Sequence, residues 1–177
     1  MSLLGDRMVA IHDALDRRRL AHAFGGAIAL AYCTFEPRGT RDIDVNVFVP
    51  PDDADRVFDA MPEGVAVRPA DRELARRDGQ VRVWWEETPV DVFLDVHDFH
   101  RQVATEIREV PFEGSTIPVL GCHALAVFKA FFNRTKDWAD LEAMVEARAV
   151  DVDRVLGVLV RLLGADDAAT VRFQSLL

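Results

Sequence analysis

The chain has 177 residues, half of them hydrophobic, and a formal net charge of -9. This length suits one domain, or one core with an extension, and allows a sizeable buried core. No apolar run approaches the ~20 residues of a membrane-spanning helix, and the N-terminal sequence lacks the layout of a secretory signal. The acidic balance disfavours nonspecific nucleic-acid binding, because it repels a polyanion unless a local basic patch overrides it.

Cys33 and Cys122 lie far apart in the sequence, and neither belongs to a Cys-x-x-Cys pair. This pattern is not typical of a disulfide framework or of a cysteine-based zinc site. We therefore expect both to be reduced, small apolar core residues, and we expect a cytoplasmic protein with no membrane association.

Hydrophobic periodicity and turn residues predict the elements in chain order. They are a helix at about 4–19, a strand at 21–24, a helix from a double glycine to about 34, a strand at 42–49, a helix at 52–60, strands at 65–67, 80–86 and 90–96, a hairpin over 108–120, and helices from 122 onward. This order predicts an α/β (α+β) core over residues 1–120, with a mixed sheet flanked by helices. An extension of three or four helices, packed on the core, follows over 121–177.

Asp42 and Asp44 are two residues apart on a predicted strand, so their side chains project to the same face. Ile43 and Val45 alternate with them and anchor the other face. Paired carboxylates repel, and a hard divalent cation relieves this repulsion, since magnesium takes carboxylate and phosphate oxygens as ligands. An Asp-x-Asp pair alone is equally consistent with solvated acids at the start of a strand.

Gly25 and Gly26 lie between a predicted strand and a predicted helix. Glycines let the backbone approach a phosphate closely, and the N-terminus of a helix presents unpaired N–H groups to it. A tight turn would explain the two glycines as well. A glycine-rich helix start followed by a strand with two acids favours a phosphate and metal site.

This combination, from Phe24 to Val49, resembles the nucleotidyltransferase superfamily, which has the DNA polymerase β-like fold. The family motif is a hydrophobic residue, Gly, Gly or Ser, and later an Asp-x-Asp pair. Two departures are the longer stretch between Gly26 and Asp42, and glycine at position 26, where many active members have serine.

Members of this superfamily carry a third carboxylate on a later strand, and Pro89-Val90-Asp91-Val92-Phe93 fits that pattern. Asp95 is the competing candidate on the same face. The segment that follows Lys129, Thr135 to Leu141, is similar to small bacterial nucleotidyltransferases, including toxins of the AbiEii type.

The resemblance implies a metal-dependent enzyme that moves a nucleoside monophosphate from a nucleoside triphosphate to an acceptor hydroxyl or phosphate. It implies that Asp42 and Asp44 bind two Mg²⁺ ions and that Asp91 binds one. Nucleotide-binding candidates are Gly25, Gly26, Arg41 and Lys129; a buried lysine needs an anionic partner, which the acids or the substrate could supply.

The acceptor stays open among RNA, a protein and a small molecule, and a toxin would add an antitoxin as partner. One alternative is a nucleotidyltransferase-fold module that binds a nucleotide or a protein without catalysis. Another is a structural or oligomerisation protein with no nucleotide site.

Overall fold

The helices and strands of the chain divide between two units. The computed structural model describes residues 3–176. Residues 1, 2 and 177 belong to the predicted core and extension but lie outside the described range. The first unit takes in residues 3–26 and 39–120, and the second takes in residues 27–38 and 121–176. Residues 27–38, which the sequence analysis assigned to the core, thus group with the C-terminal helices.

The first unit contains a mixed sheet. Within residues 3–176 it has seven strands, in the spatial order β3-β4-β5-β2-β1-β7-β6. The strands are β1 (His22–Phe24), β2 (Ile43–Val47), β3 (Val65–Ala66), β4 (Gln80–Trp85), β5 (Thr88–Leu94), β6 (Arg108–Phe112) and β7 (Ser115–Val119). β2 pairs with β5, and β1 with β7, in parallel; the other neighbours are antiparallel. The predicted mixed sheet is confirmed.

Alternating apolar residues account for the central strands. In β2, Ile43, Val45 and Val47 are buried, as the predicted alternation requires. In β5, Val90 and Val92 are buried in the same way. Each strand therefore anchors one face in the core and leaves the side chains of the other face for a site.

Four α-helices of the described chain accompany the sheet in the first unit. They are α1 (Leu3–Arg17), α3 (Ala54–Phe58), α4 (Pro69–Asp78) and α5 (Asp98–Val103), and a 3-10 turn at Pro51–Asp53 precedes α3. Met8, Ile11 and Leu15 form the buried face of α1, which confirms the predicted amphipathic helix. Neither α4 nor α5 was predicted from the sequence.

Helices make up the second unit. They are α2 (Gly26–Thr34), α6 (Cys122–Phe132), α7 (Thr135–Glu146), α8 (Val152–Leu163) and α9 (Ala168–Gln174), and α2 starts at the last residue of the first unit's opening segment. Trp138, Leu141 and Phe173 are fully buried among them. The predicted helical pattern after Cys122 is confirmed in the described residues.

The expectation that both cysteines are reduced is wrong in this structure. Cys33, at the end of α2, and Cys122, at the start of α6, form a disulfide with a Cα–Cα distance of 5.6 Å. They are 89 residues apart, and sequence spacing does not reveal that α2 and α6 share a unit. Cys33 is buried, whereas Cys122 is only half-buried. The cytoplasmic location stays a prediction.

The helices are too short or too polar to cross a bilayer. Over residues 3–176, none combines the length and the apolar character that a membrane span requires.

Candidate functional site

The parallel pairing of β2 and β5 brings two of the predicted acids together. Asp44 and Asp91 are direct partners in the register of these neighbouring strands. Neighbouring strands lie about 4.8 Å apart, and side chains at paired positions share a face. Both residues are half-buried, on the face opposite the buried valines. The sheet therefore holds two carboxylates side by side at the edge of its core.

Asp42 extends this pair along the chain. It lies immediately before β2, two residues from Asp44, and is also half-buried. The hydroxyl of Thr40 donates a hydrogen bond to its Oδ1 at 2.5 Å. Arg41, the predicted triphosphate contact, is exposed between these two residues.

The double glycine lies against the same acids. The N–H of Gly25 donates to the backbone carbonyl of Asp44 at 2.9 Å. Gly26 starts α2 with a φ of +54°, and a Cβ there would lie 1.9 Å from Oδ2 of Asp44. The longer stretch between Gly26 and Asp42 therefore does not separate the glycines from the acids. The same contact accounts for glycine at position 26, because any larger residue would displace the carboxylate of Asp44.

Arg82 completes this face, and the sequence analysis missed it. Its Nε and Nη2 donate to Oδ1 and Oδ2 of Asp91 at 2.7 and 2.6 Å. These hydrogen bonds, opposed by partial burial and reinforced by the charges of Asp91, Asp42 and Asp44, raise the pKa of Arg82. The alternation of Val81, Arg82 and Val83 was a signal for its orientation, but the register of β4 with β5 could not be read from the sequence.

Asp95, the competing third carboxylate, lies at the other end of β5. Its backbone N–H donates to the carbonyl of Val49 at 2.9 Å. Four residues along a strand span about 13 Å, so Asp95 is remote from the position beside Asp44 that Asp91 occupies.

Comparison with solved structures identifies the fold of the chain. The solution structure of the antibiotic-resistance factor ANT(2'')-Ia matches 98% of the chain and 94% of its own length, with a TM-score of 0.62 and 14% identity. The crystal structure of ANT(2'')-Ia in complex with adenylyl-2''-tobramycin matches 98% of both chains, with a TM-score of 0.61 and 12% identity. The chain has the nucleotidyltransferase fold.

A third structure has the same nucleotidyltransferase fold. An antigenic nucleotidyltransferase-like protein from Paracoccidioides brasiliensis matches 97% of the chain and 94% of its own length, with a TM-score of 0.51 and 13% identity. By sequence, the chain matches no protein-family model and no curated protein. The likeness to the AbiEii type stays a prediction.

Within this nucleotidyltransferase fold, Lys129 lies in the second unit and has acidic neighbours there. Its Nζ is 2.6 Å from Asp140 and 3.6 Å from Asp137, and Arg38 and Arg134 reach the same two carboxylates. Burial raises the pKa of Asp137, but the hydrogen bond from Arg134 and the charges of Arg134 and Lys129 outweigh it and lower that pKa. Two acids of its own unit thus supply the anionic partner that buried Lys129 requires.

The donors on the sheet fit magnesium chemically. Asp42, Asp44 and Asp91 offer the carboxylate oxygens that magnesium prefers, and two of them are paired in adjacent strands. In the part of the chain that is described, no three acidic, histidine or cysteine side chains already surround a common point where a metal could bind. Arg82 donates a hydrogen bond to both oxygens of Asp91, so a metal at that carboxylate would share it or compete for it with the guanidinium.

Proposed function

We propose that the chain transfers a nucleoside monophosphate from a nucleoside triphosphate to a hydroxyl of a small molecule, in a magnesium-dependent reaction. The observation that carries this proposal is the meeting of Asp44 with Asp91 in register and with Gly26 at the start of α2. It joins a carboxylate pair suited to a metal with a helix start suited to a phosphate, within the nucleotidyltransferase fold.

Each acid has a proposed role. Asp42 and Asp44 would hold two Mg²⁺ ions, and Asp91 would hold one. When bound, two such ions stabilise the charge on the attacking and leaving oxygens of an in-line displacement. Asp42, Asp44 and Asp91 would otherwise repel each other, and this fits a metal role better than a structural one.

The nucleotide would lie on the glycine side of these acids. The start of α2 favours anions because it is the positive end of the helix dipole. Gly25 and Gly26 leave room for the triphosphate to approach the backbone. Arg41 would neutralise part of its charge.

The reaction balances with these groups. The acceptor oxygen attacks the α-phosphorus while the bond from that phosphorus to the bridging oxygen of the β-phosphate breaks. Pyrophosphate leaves with the bonding electrons. The proton of the acceptor hydroxyl passes to a base, a role that we propose for Asp91.

A small acceptor with positive charge suits the surface best. The net charge of -9 repels RNA and attracts cations. The ANT(2'')-Ia complex with adenylyl-2''-tobramycin offers a model for such an acceptor in the same fold. We therefore propose an amino-sugar or similar cationic polyol as the acceptor. RNA and protein are the competing classes of acceptor.

A specific observation favours one rival function, a module that binds nucleotide or protein without catalysis. Arg82 holds both oxygens of Asp91, which would suit a site that has lost its metal. The two functions differ in whether magnesium affects nucleotide binding.

The first test is thermal unfolding of the wild type and Asp44→Asn with each of the common ribonucleoside triphosphates, with and without magnesium. Ligand at about 100 times its dissociation constant stabilises the folded state by about 2.7 kcal/mol, which raises the melting temperature by a few degrees. We expect a magnesium-dependent rise in the wild type and none in Asp44→Asn. Asp78→Asn is the matched control, because Asp78 is an exposed aspartate that pairs with Arg77 on α4.

The nucleotide that stabilises the protein then enters an acceptor screen with labelled α-phosphate. We expect label on cationic polyols and none on RNA or protein. A magnesium-independent rise, equal in wild type and Asp44→Asn, would favour the non-catalytic module. No rise with any nucleotide would contradict both.

A further inference from the structure

The guanidinium of Arg82 occupies the carboxylate that we assign as third metal ligand. It makes two parallel hydrogen bonds, one to each oxygen of Asp91, at 2.7 and 2.6 Å. A bidentate pair of this kind is among the stronger hydrogen-bonded ion pairs. While this ion pair persists, both carboxylate oxygens of Asp91 accept hydrogen bonds from the guanidinium.

The backbone imposes this contact. Arg82 and Asp91 are direct partners in the antiparallel pairing of β4 and β5. Val81 and Val83 are buried on the other face of β4, so Arg82 has to project onto the acidic face. The register therefore places Arg82 beside Asp91 whenever the sheet is formed, whether or not the two side chains are paired.

The side chains of Arg82 and Asp91 differ in their exposure to solvent. The side chain of Arg82 is 50% exposed, whereas that of Asp91 is 18% exposed. The half-exposed guanidinium can turn into water, which hydrates it, whereas the carboxylate is held by its strand within the sheet. If the pair opens, Arg82 is therefore the partner that moves.

Arg82 also acts on the acids beyond Asp91. Asp44 is the register partner of Asp91 on β2. The guanidinium thus lies beside two carboxylates that share one face, and it can serve as a counter-ion to both. A dication at the same face would take over that role.

We propose that Arg82 and the divalent metal compete for Asp91. Without metal, Arg82 neutralises the acidic face; when metal binds, the guanidinium is released and binds a phosphate oxygen of the nucleotide. A guanidinium suits this second partner, because its paired donors match phosphate as well as carboxylate. The inference rests on the proposed function, since it needs a metal at Asp91.

The test is Mn²⁺ binding by titration calorimetry, without nucleotide, to the wild type, Arg82→Gln and Arg77→Gln. Arg77 is the matched control, because it makes the same bidentate contact with Asp78 on α4, outside the acidic face. Loss of a competing ion pair should tighten Mn²⁺ binding by about fivefold in Arg82→Gln, whereas Arg77→Gln should bind like the wild type. Circular dichroism and melting in chelator verify that each variant is folded.

A second arm measures affinity for the nucleotide at saturating Mn²⁺. Arg82→Gln should bind the nucleotide more weakly than the wild type, and Arg82→Lys should recover part of the loss. A merely structural role would weaken metal and nucleotide together, so opposite changes are the signature of the proposed exchange.

Equal or weaker Mn²⁺ binding by Arg82→Gln would overturn the competition while the metal site itself stands. Unchanged nucleotide affinity would overturn the contact with phosphate. If neither the wild type nor Arg82→Gln binds Mn²⁺, the proposed metal site fails, and this result is distinct from either of the others.

Discussion

At Gly26, the conformation of the backbone and the geometry of the acids depend on each other. Its φ of +54° lies in the left-handed region, and Oδ2 of Asp44 occupies the place that a Cβ would take. A side chain at this position would therefore strain the start of α2 and move an acid at once. Glycine here is a requirement of the site as much as of the turn.

Gly26→Ser should lower the free energy of unfolding by roughly 1–2 kcal/mol, the cost of a left-handed non-glycine residue, and displace Asp44. Magnesium-dependent nucleotide binding should weaken with it. Chemical unfolding and calorimetry check the two effects. Gly39→Ser is the control, because a Cβ at Gly39 meets no atom within 4 Å. Unchanged stability together with tighter nucleotide binding would mean that Asp44 moves aside without cost.

The orientation of a side chain could be predicted from the sequence where it follows from the local alternation of a strand. The alternation around Asp42 and Asp44 is local, so their shared face follows from a period of two residues. Arg82 could not be assigned in the same way, because its contact with Asp91 depends on the register of a hairpin. The predicted strands at 80–86 and 90–96 leave three residues between them, whereas two residues join the observed strands, because β4 ends at Trp85 and β5 begins at Thr88. The register of a hairpin depends on the length of its connection, so the predicted strand bounds could not give the pairing of Arg82 with Asp91.

Among the elements, α2 and α6 are joined covalently through Cys33 and Cys122. A crosslink that closes a loop of this length stabilises the folded chain by about 3–5 kcal/mol in the chain-entropy model. Cys33→Ala should therefore lower the free energy of unfolding by that amount. Reductant should lower the wild type to the same level and leave Cys33→Ala unchanged, as urea unfolding would measure. Two titratable thiols in the unfolded, unreduced wild type would contradict the disulfide.

The elements that the sequence failed to predict share a physical cause. In α4, only Asp71 and Ala75 are buried, so the helix lacks an apolar stripe. Polar contacts link it to its neighbours instead, and Arg72 forms ion pairs with Asp55 and Asp59. Such contacts leave no hydrophobic period to detect. α5 has six residues, too few to establish a helical period.

For the molecule as a whole, two buried histidines predict how stability depends on pH. Burial is the main cause that lowers the pKa of both His22 and His100 from the ordinary 6.5, against the carbonyl of Leu20 and the charge of Asp95 respectively. Both histidines therefore bind a proton more readily in the unfolded chain than in the folded protein. Stability is complete above about pH 6.5 and falls as the pH drops below it, by up to about 1.4 kcal/mol per pH unit for each histidine.

Urea unfolding between about pH 7.5 and about pH 5.5 measures this dependence. His22→Gln should show a shallower loss than the wild type, because one of the two histidines is gone. His100→Gln should also show a shallower loss, because His100 is the other buried histidine whose pKa is lowered. Equal slopes for all three proteins would contradict a role for His22.

The division of the chain into units was the part of the architecture least accessible from sequence. A change from alternating to helical pattern near residue 120 is visible locally, and it gave the predicted boundary. The grouping of residues 27–38 with the helices after 121 depends on contacts between distant segments. An apolar helix such as α2 fits a sheet or a helical bundle equally well, so its composition cannot say which one it joins.

This interleaving has a consequence for folding during synthesis. The strands of the sheet all lie before residue 120, so the first unit can fold while the C-terminal helices are still being translated. α2 cannot finish packing with its own unit until α6 and the later helices emerge. At a synthesis rate of roughly 5–20 residues per second, the 89 residues from Cys33 to Cys122 take roughly 4–18 s. During that interval an apolar helix is exposed on the nascent chain, and a chaperone near the ribosome exit would bind there first.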